Sequence, residues 1–436
     1  MAREMKDSGI EWIGKIPENW QISNLGTITE SMRNGYVGPT KDIFVDEGIR
    51  YIQSLHIRDG IIDFSRQEYY VSEEWAGKHP KIKENDILIV QTGDIGNVGL
   101  VTEEYDECNC HALIIATPKT EIVYPKYLTY YLMSPVGREL LLYYKTGALL
   151  PHLNSGKIRF ASICVPDLHE QKRIGDYLDI ECAHINVVIE QTRASIEEYK
   201  KLKQAVITQA VTKGIRPERP MKDSGFDWMG KIPLDWSVQK TKAFSNRIVV
   251  GVVIKPADYF DENGTVPFLR GINVKEYIIN PNPMVYISEE TNKLLSKSVV
   301  HTDDLLIVRD GSIGTACVVP PKYNGANVVS MIIVSCDQTV MPKYLCYSFN
   351  SDVGRTQFDL TKIGTALTHT SVQSVSNIFH ALPSYEEQLE IVEYIDGKVK
   401  EINVLIEKKT RLLSDLETYK KSLIYEYVTG KKEVPA

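Results

Sequence analysis

The sequence predicts an α/β (α+β) protein: two similar mixed bodies, separated by two long helices that pair as a coiled coil. Three observations predict it. Glu170 to Thr212 carries an apolar pattern in sevens, the same pattern returns 217 residues later, and the residues ahead of each such stretch repeat in the same order. A chain of 436 residues also exceeds what one hydrophobic core supports.

The helices come first because they organise the rest. Leu178, Ile185, Thr192, Tyr199 and Val206 recur every seven residues, with Cys182, Ile189, Ile196, Lys203 and Ala210 four behind. In the second stretch Ile395, Ile402, Lys409, Leu416 and Leu423 take the sevens, followed by Val399, Ile406, Leu413, Lys420 and Tyr427. This 4-3 spacing lays one narrow apolar seam along a helix, the pattern of a coiled-coil partner rather than of a globular-core helix. Each seam suits the other as its cover. At about 1.5 Å per residue, forty-odd residues span about 60 Å.

The bodies follow from the repeat. MKDSGIEWIGKIPENW (5–20) answers MKDSGFDWMGKIPLDW (221–236), NDILIVQTGDIGNVGLV (85–101) answers DDLLIVRDGSIGTACVV (303–319), and PKYLTYYLMSPVGR (125–138) answers PKYLCYSFNSDVGR (342–355). TGALLPHLNSGKI (146–158) answers IGTALTHTSVQSV (363–375), and a Pro-x-x-x-Glu-Gln lead-in at 166–171 and 383–388 precedes each helix. A period this long means duplicated domains, not a solenoid. Within the first body, IRYIQSLHI, DILIVQTGD, NVGLVTEEY and HALIIATP read as short strands, β-branched and bounded by Gly, Asp or Pro. PKYLTYYLMSPVGRELLLYYKTG reads as a helix closed by Gly147. KGIRPERP (213–220), with its glycine and two prolines, is a linker.

The predicted divisions are therefore an opening segment at 1–20, a first body at 21–165, a helix at 166–213, and a linker with the repeated opening segment at 214–236. A second body at 237–382, a second helix at 383–430 and a tail at 431–436 complete the chain. The opening segments agree closely between halves, whereas residues 21–43, 58–81 and 102–122 hardly match their counterparts. Two bodies built alike and surfaced differently suit a protein that reads two different things with one tool.

Catalytic signals are few. The glycine and lysine spacing at Gly9–Lys15 and Gly225–Lys231 echoes a phosphate loop, but the hydroxyl residue is replaced by Ile16 or Ile232 and no strand precedes either. These segments read as structural, with Trp12, Trp20, Trp228 and Trp236 anchoring them to the helices by burial. Cys108, Cys110 and His111 form the one compact set of possible metal ligands, without a second pair at zinc spacing, so no metal is expected. No G-x-S-x-G, H-E-x-x-H or G-x-G-x-x-G is present. Seven scattered cysteines argue for a reducing cytoplasm rather than a disulfide framework. No apolar run approaches the ~20 residues that span a bilayer, and MAREMKDSGIEW lacks the apolar centre of a signal peptide. The chain reads as a binder, not a catalyst.

The paired D-S-G-x-x-W-x-G-x-I-P-x-x-W segments, the V-x-x-G-x-I-G turns, the Pro-x-x-x-Glu-Gln lead-ins and the ending Y-K-K-S-L-I-Y-E-x-V-T-G-K resemble the specificity (S) subunit of Type I restriction–modification systems. The resemblance spans the whole chain. It implies two target recognition domains, joined by two long helices packed antiparallel, that each bind one half of a bipartite asymmetric site in double-stranded DNA. It implies a cytoplasmic, phage-defence assembly with two modification (methyltransferase) subunits and, optionally, two restriction subunits. S-adenosylmethionine, ATP and Mg would belong to those partners, and this chain would hold no cofactor and no catalytic residue. The helices would then act as a spacer that sets the gap between half-sites.

Candidate DNA contacts in the first body are Gln53, Ser54, His56 and Arg58 after a strand, Gln91 and Thr92 at a glycine turn, and His152, Asn154 and Lys157 in a polar loop. Matching positions in the second body are Arg270, Asn273, Lys275, Arg309, Thr368 and His369. Gln and Asn suit adenine, and Arg suits guanine or phosphate; any single one of these also fits a solvated loop. Net charge is −7, with 14 Lys/Arg against 18 Asp/Glu in residues 21–160 and 13 against 12 in residues 237–377. Neither body is basic, so the isolated chain should bind DNA weakly and with strong salt dependence. Two competing readings stand beside this one. A pseudo-twofold protein scaffold would show no sequence preference on DNA, and an enzyme would act without partners.

Overall fold

The computed structural model describes residues 3–147, 149, 151–361 and 369–435. The chain forms two compact units, one from Met1–Arg193 with Arg411–Ala436 and one from Ala194–Thr410. The long helices are Leu168–Lys213 and Tyr385–Val428, so each contributes one part to each unit.

In the first unit a four-stranded antiparallel sheet runs in the order Val98–Leu100, Ile87–Val90, Leu113–Pro118, Thr29–Asn34. All four residues of Ile87–Val90 are buried because the sheet is covered on both faces. Ile87 and Ile89 pack under the helices, while Leu88 and Val90 pack under a smaller sheet that holds Ile52. The second unit repeats the arrangement, with Leu305 and Ile307 on the helix side and Leu306 and Val308 on the other. In both smaller sheets one strand pair is parallel, Tyr51 opposite Asn109 and Phe268 opposite Asn327.

The segment read as one helix closed by Gly147 is two helices, Pro125–Met133 and Pro135–Tyr143. Pro135 cannot continue the preceding ladder, and the Ser134 hydroxyl instead caps the next helix by accepting from Gly137 N.

Within each unit the helix segments run antiparallel. In the first, the rings of Tyr177 and Tyr427 lie 4.8 Å apart, Lys420 Nζ donates to Asn186 Oδ1 at 2.9 Å, and Arg193 meets Glu417 at 2.9 Å. In the second, Lys203 Nζ donates to Asn403 Oδ1 at 3.3 Å, the repeat-related version of the Lys420–Asn186 pair. Of the predicted seam, Leu178, Ile185, Ile189, Ile196, Ile395, Ile402 and Leu423 are buried. Tyr199, Val206, Ile406, Leu413 and Leu416 are half-buried. Towards the helix ends the seam widens. Ile174, Ile207, Val211, Ile391, Val392, Ile424 and Val428 are also buried there, because a body packs against the helix. At their ends these are globular-core helices after all.

The lead-in glutamates hold the opening segments. Trp20 is fully buried, and its Nε1 donates to Glu170 Oε2 at 3.0 Å. Arg3 pairs with the same carboxylate at 2.7 Å and lies 5.4 Å over the Trp20 ring. Trp236, Glu387 and Arg219 repeat this triad, with Nε1 to Oε2 at 3.1 Å. The adjacent glutamines tie down the turns that start the next helix. Gln171 Oε1 accepts from Tyr124 N, and Gln388 Oε1 accepts from Met341 N, at 2.8 and 2.7 Å. Trp12 and Trp228 differ from expectation. Trp12 is 42% exposed beside Tyr143, and Trp228 is half-buried beside Phe226, so neither is an anchor buried as Trp20 and Trp236 are.

His380 in the second unit is buried between two hydroxyls, Ser348 Oγ at 2.7 Å from Nδ1 and Thr241 Oγ1 at 3.0 Å from Nε2. Burial pushes its pKa down to about 3. A folded pKa below the unfolded value means stability present above about pH 6.5 and lost as pH falls toward 3. Between pH 7 and 4.5 the second unit is therefore expected to lose about 2–3 kcal/mol from this group. Urea unfolding of wild type and His380→Ile, followed by hydrogen exchange, checks it; an equal acid slope in both would refute it. The first unit already has Ile163 at the corresponding place.

Candidate nucleic-acid interface

One end of each main sheet gathers most of the predicted contacts. In the first unit the ends of three strands, at Asn34, Val90 and Leu113, lie side by side. Val90 runs into a turn in which Gly93 and Gly96 take positive φ, +78° and +85°; Gly311 and Gly314 do the same, at +81° and +82°. Residues with a Cβ are strained in that region, which accounts for the V-x-x-G-x-I-G pattern. At Gly314 a Cβ would also fall 2.3 Å from the Phe358 ring.

Gln91 and Thr92 begin this turn, half-buried and exposed respectively. Leu153 N donates to Gln91 O at 2.9 Å, which brings His152 and Asn154 to the same end. Asn154 Oδ1 caps the short helix Ser155–Ile158 by accepting from Gly156 N and Lys157 N, so its amide hydrogens are what it can offer outward. Lys157 is exposed on that helix. Gln53 and Ser54 join the set because His111 N donates to Ile52 O at 2.7 Å. Arg58 lies apart, on the hairpin Ile57–Arg58/Ile61–Ile62 along the sheet edge, paired with Asp63 at 2.8 Å.

The second unit places Arg270, Arg309 and His369 in the same way. Thr370 N donates to Arg309 O at 3.1 Å, Asp310 bridges to His369, and Gly271 faces Val308. Lys275 is exposed on the hairpin that answers Arg58. The Arg270 guanidinium donates to Pro283 O at 3.0 Å. Thr368 lies outside the described residues.

Two predicted contacts are corrected. His56 is fully buried; its Nδ1 accepts from Gln53 N at 2.9 Å, its Nε2 donates to Gln67 O at 2.7 Å, and burial lowers its pKa. Asn273 does the same work in the second unit, accepting from Arg270 N and donating to Asn280 O and Pro283 O. Both spend their polar atoms on the turn beneath the surface and have none for a ligand.

Sequence reasoning passed over Tyr36 and His111 at this same end. Tyr36 lies where the halves disagree, and His111 falls in the compact set of possible ligands from which no metal is expected. In the structure Cys110 is fully buried, His111 Nδ1 meets the Tyr51 hydroxyl at 3.2 Å, and no metal-binding group of three or more His, Cys, Asp or Glu occurs among the described residues. No helix among those residues is long and apolar enough to cross a membrane.

Comparison with known proteins gives a consistent result. A family model for the Type I restriction modification DNA specificity domain matches residues 17–198. The chain is 27% identical over 435 residues to the putative type I restriction enzyme MjaX specificity subunit of Methanocaldococcus jannaschii, covering 97% of this chain and 96% of that protein. It is 22% identical over 437 residues to the type I restriction enzyme EcoKI specificity subunit of Escherichia coli K12, covering 92% and 88%. In fold it matches a chain of a solved type I R-M system with a TM-score of 0.73 at 17% identity, covering 96% of this chain and 99% of that one. It also matches the HsdS subunit from Thermoanaerobacter tengcongensis with a TM-score of 0.51 at 16% identity, covering 96% and 98%.

Proposed function

We propose, from the premise that this chain belongs to the family of specificity subunits of Type I restriction–modification systems, that it reads a bipartite asymmetric DNA site, one half per body. One observation carries the reading. Two sheet ends share a frame but not their chemistry: Gln53 and Gln91 stand in the first where Arg270 and Arg309 stand in the second. Amide side chains favour adenine and guanidinium groups favour guanine, so the two halves of the target differ. Catalysis comes from two modification subunits that carry S-adenosylmethionine and methylate adenine. ATP and Mg serve restriction subunits where these join, all in the cytoplasm. Because neither body is basic, much of the phosphate contact falls to the partners closing around the duplex.

Methylated adenines mapped across the host genome, before and after deletion of the gene, test this. A gapped asymmetric motif should vanish on deletion; its persistence would overturn the reading and leave a protein scaffold as the alternative. The long helices yield a sharper expectation. Seven residues inserted into each add about 10 Å, the length of about three base pairs. The mapped motif should then gain about three bases in its gap, and an unchanged gap would remove the helices from any role in setting it.

A further inference from the structure

The first unit carries a ring cluster at its reading end that has no counterpart among the described residues of the second. Trp75 and His79 stack at 3.8 Å, Tyr36 meets both edge-on at 5.0 Å, and His111 lies 6.4 Å from Tyr36. All four are half-buried. Backbone pairing puts them at the sheet end: Tyr36 bridges to His111, Tyr36 N donates to Cys110 O at 2.9 Å, and His111 N bonds the residue before Gln53.

The same bridge in the second unit joins Val252 to Val329, and the Ser288-capped helix there has Thr291 where the Ser72-capped helix has Trp75. The frame is therefore satisfied without rings, and the fold alone does not account for them. Their polar atoms are also arranged asymmetrically. His111 Nδ1 meets Tyr51 and His79 Nδ1 donates to Trp75 O at 2.7 Å, while Nε2 of each imidazole has no partner among the described residues. Burial favours the neutral form of His111, so its Nε2 is suited to a neutral base edge rather than to a phosphate.

We infer that Tyr36 and His111, backed by Trp75 and His79, are specificity-determining contacts for the first DNA half-site. They would offer an aromatic face to an apolar base edge such as a thymine methyl, and an imidazole nitrogen to a neighbouring base. This extends the reader beyond Gln53 and Gln91 and rests on the DNA-reading function proposed above.

The test uses the full chain assembled with its modification subunits, with methylation measured on duplexes bearing each single-base change in either half. Tyr36→Val and His111→Val install the residues of the second unit. In each single variant methylation of the intact site should fall about 5- to 150-fold, the equivalent of about 1–3 kcal/mol per base contact. Base tolerance should relax in the first half only, with second-half preferences unchanged. His111→Gln keeps a partner for Tyr51 and should shift preference at one base pair. Thermal unfolding identifies any variant whose first unit is lost, and His111→Gln and Tyr36→Phe then decide: Phe keeps the ring and should keep the specificity. If folded variants methylate as wild type does, the rings are structural and the inference fails. If wild type itself shows no bipartite site, the functional reading fails instead.

Discussion

Replacing Glu387 with alanine is expected to destabilise the second unit by about 3–5 kcal/mol, because one buried carboxylate both pairs with a mostly buried guanidinium and accepts from a buried indole. Its side chain is 5% exposed and the Arg219 side chain 12%. Without it, Arg219 keeps its ion pair with Asp235, whose side chain is 67% exposed, and the indole N–H of fully buried Trp236 loses its acceptor. Glu170→Ala in the first unit should cost less, about 2 kcal/mol, since Arg3 and Glu170 are 17% and 20% exposed and water can replace part of the interaction. Hydrogen exchange resolved by peptide reads each unit separately in the full chain. Protection around Trp236 that survives Glu387→Ala unchanged would show the triad to be incidental.

Arg270→Ala with Arg309→Ala should abolish modification through the second half-site while leaving first-half preferences intact. Two guanidinium–base contacts at about 1–3 kcal/mol each imply a loss of at least about 30-fold. The single changes should differ in kind. No side-chain partner of Arg309 is found among the described residues, so its removal subtracts a contact and nothing else. Arg270 also ties down the loop at Pro283, so its loss should slacken that loop as well. Equal methylation rates for wild type and the double variant on the cognate duplex would take both arginines out of the interface.

Much of this architecture is visible in the one-dimensional pattern because duplication wrote it twice. The seam from Leu178 to Val206 and its copy from Ile395 to Leu423 are periodic, and periodicity survives in sequence. The Glu-Gln lead-in was visible as a motif but not as a device, since Glu170 meets Trp20 and Arg3 from 150 and more residues away. His56 and Asn273 misled for a related reason. A polar residue after a strand looks like a ligand group until its backbone partners are seen. Tyr36 and His111 escaped because they are distant in sequence and have no echo in the other half, so the repeat that illuminated everything else concealed them.

The division of the chain into units has a consequence for the order in which they are completed. Residues 194–410 form one uninterrupted unit, whereas the other needs residues 411–436 as well as 1–193. During synthesis the domain made first must wait for residues 411–436 to leave the ribosome, with the faces of Ile174, Leu178 and Cys182 that meet Leu423 and Tyr427 unpartnered until then. A nascent chain is thus expected to complete residues 194–410 first, with its earlier part in the care of chaperones until residues 411–436 have emerged.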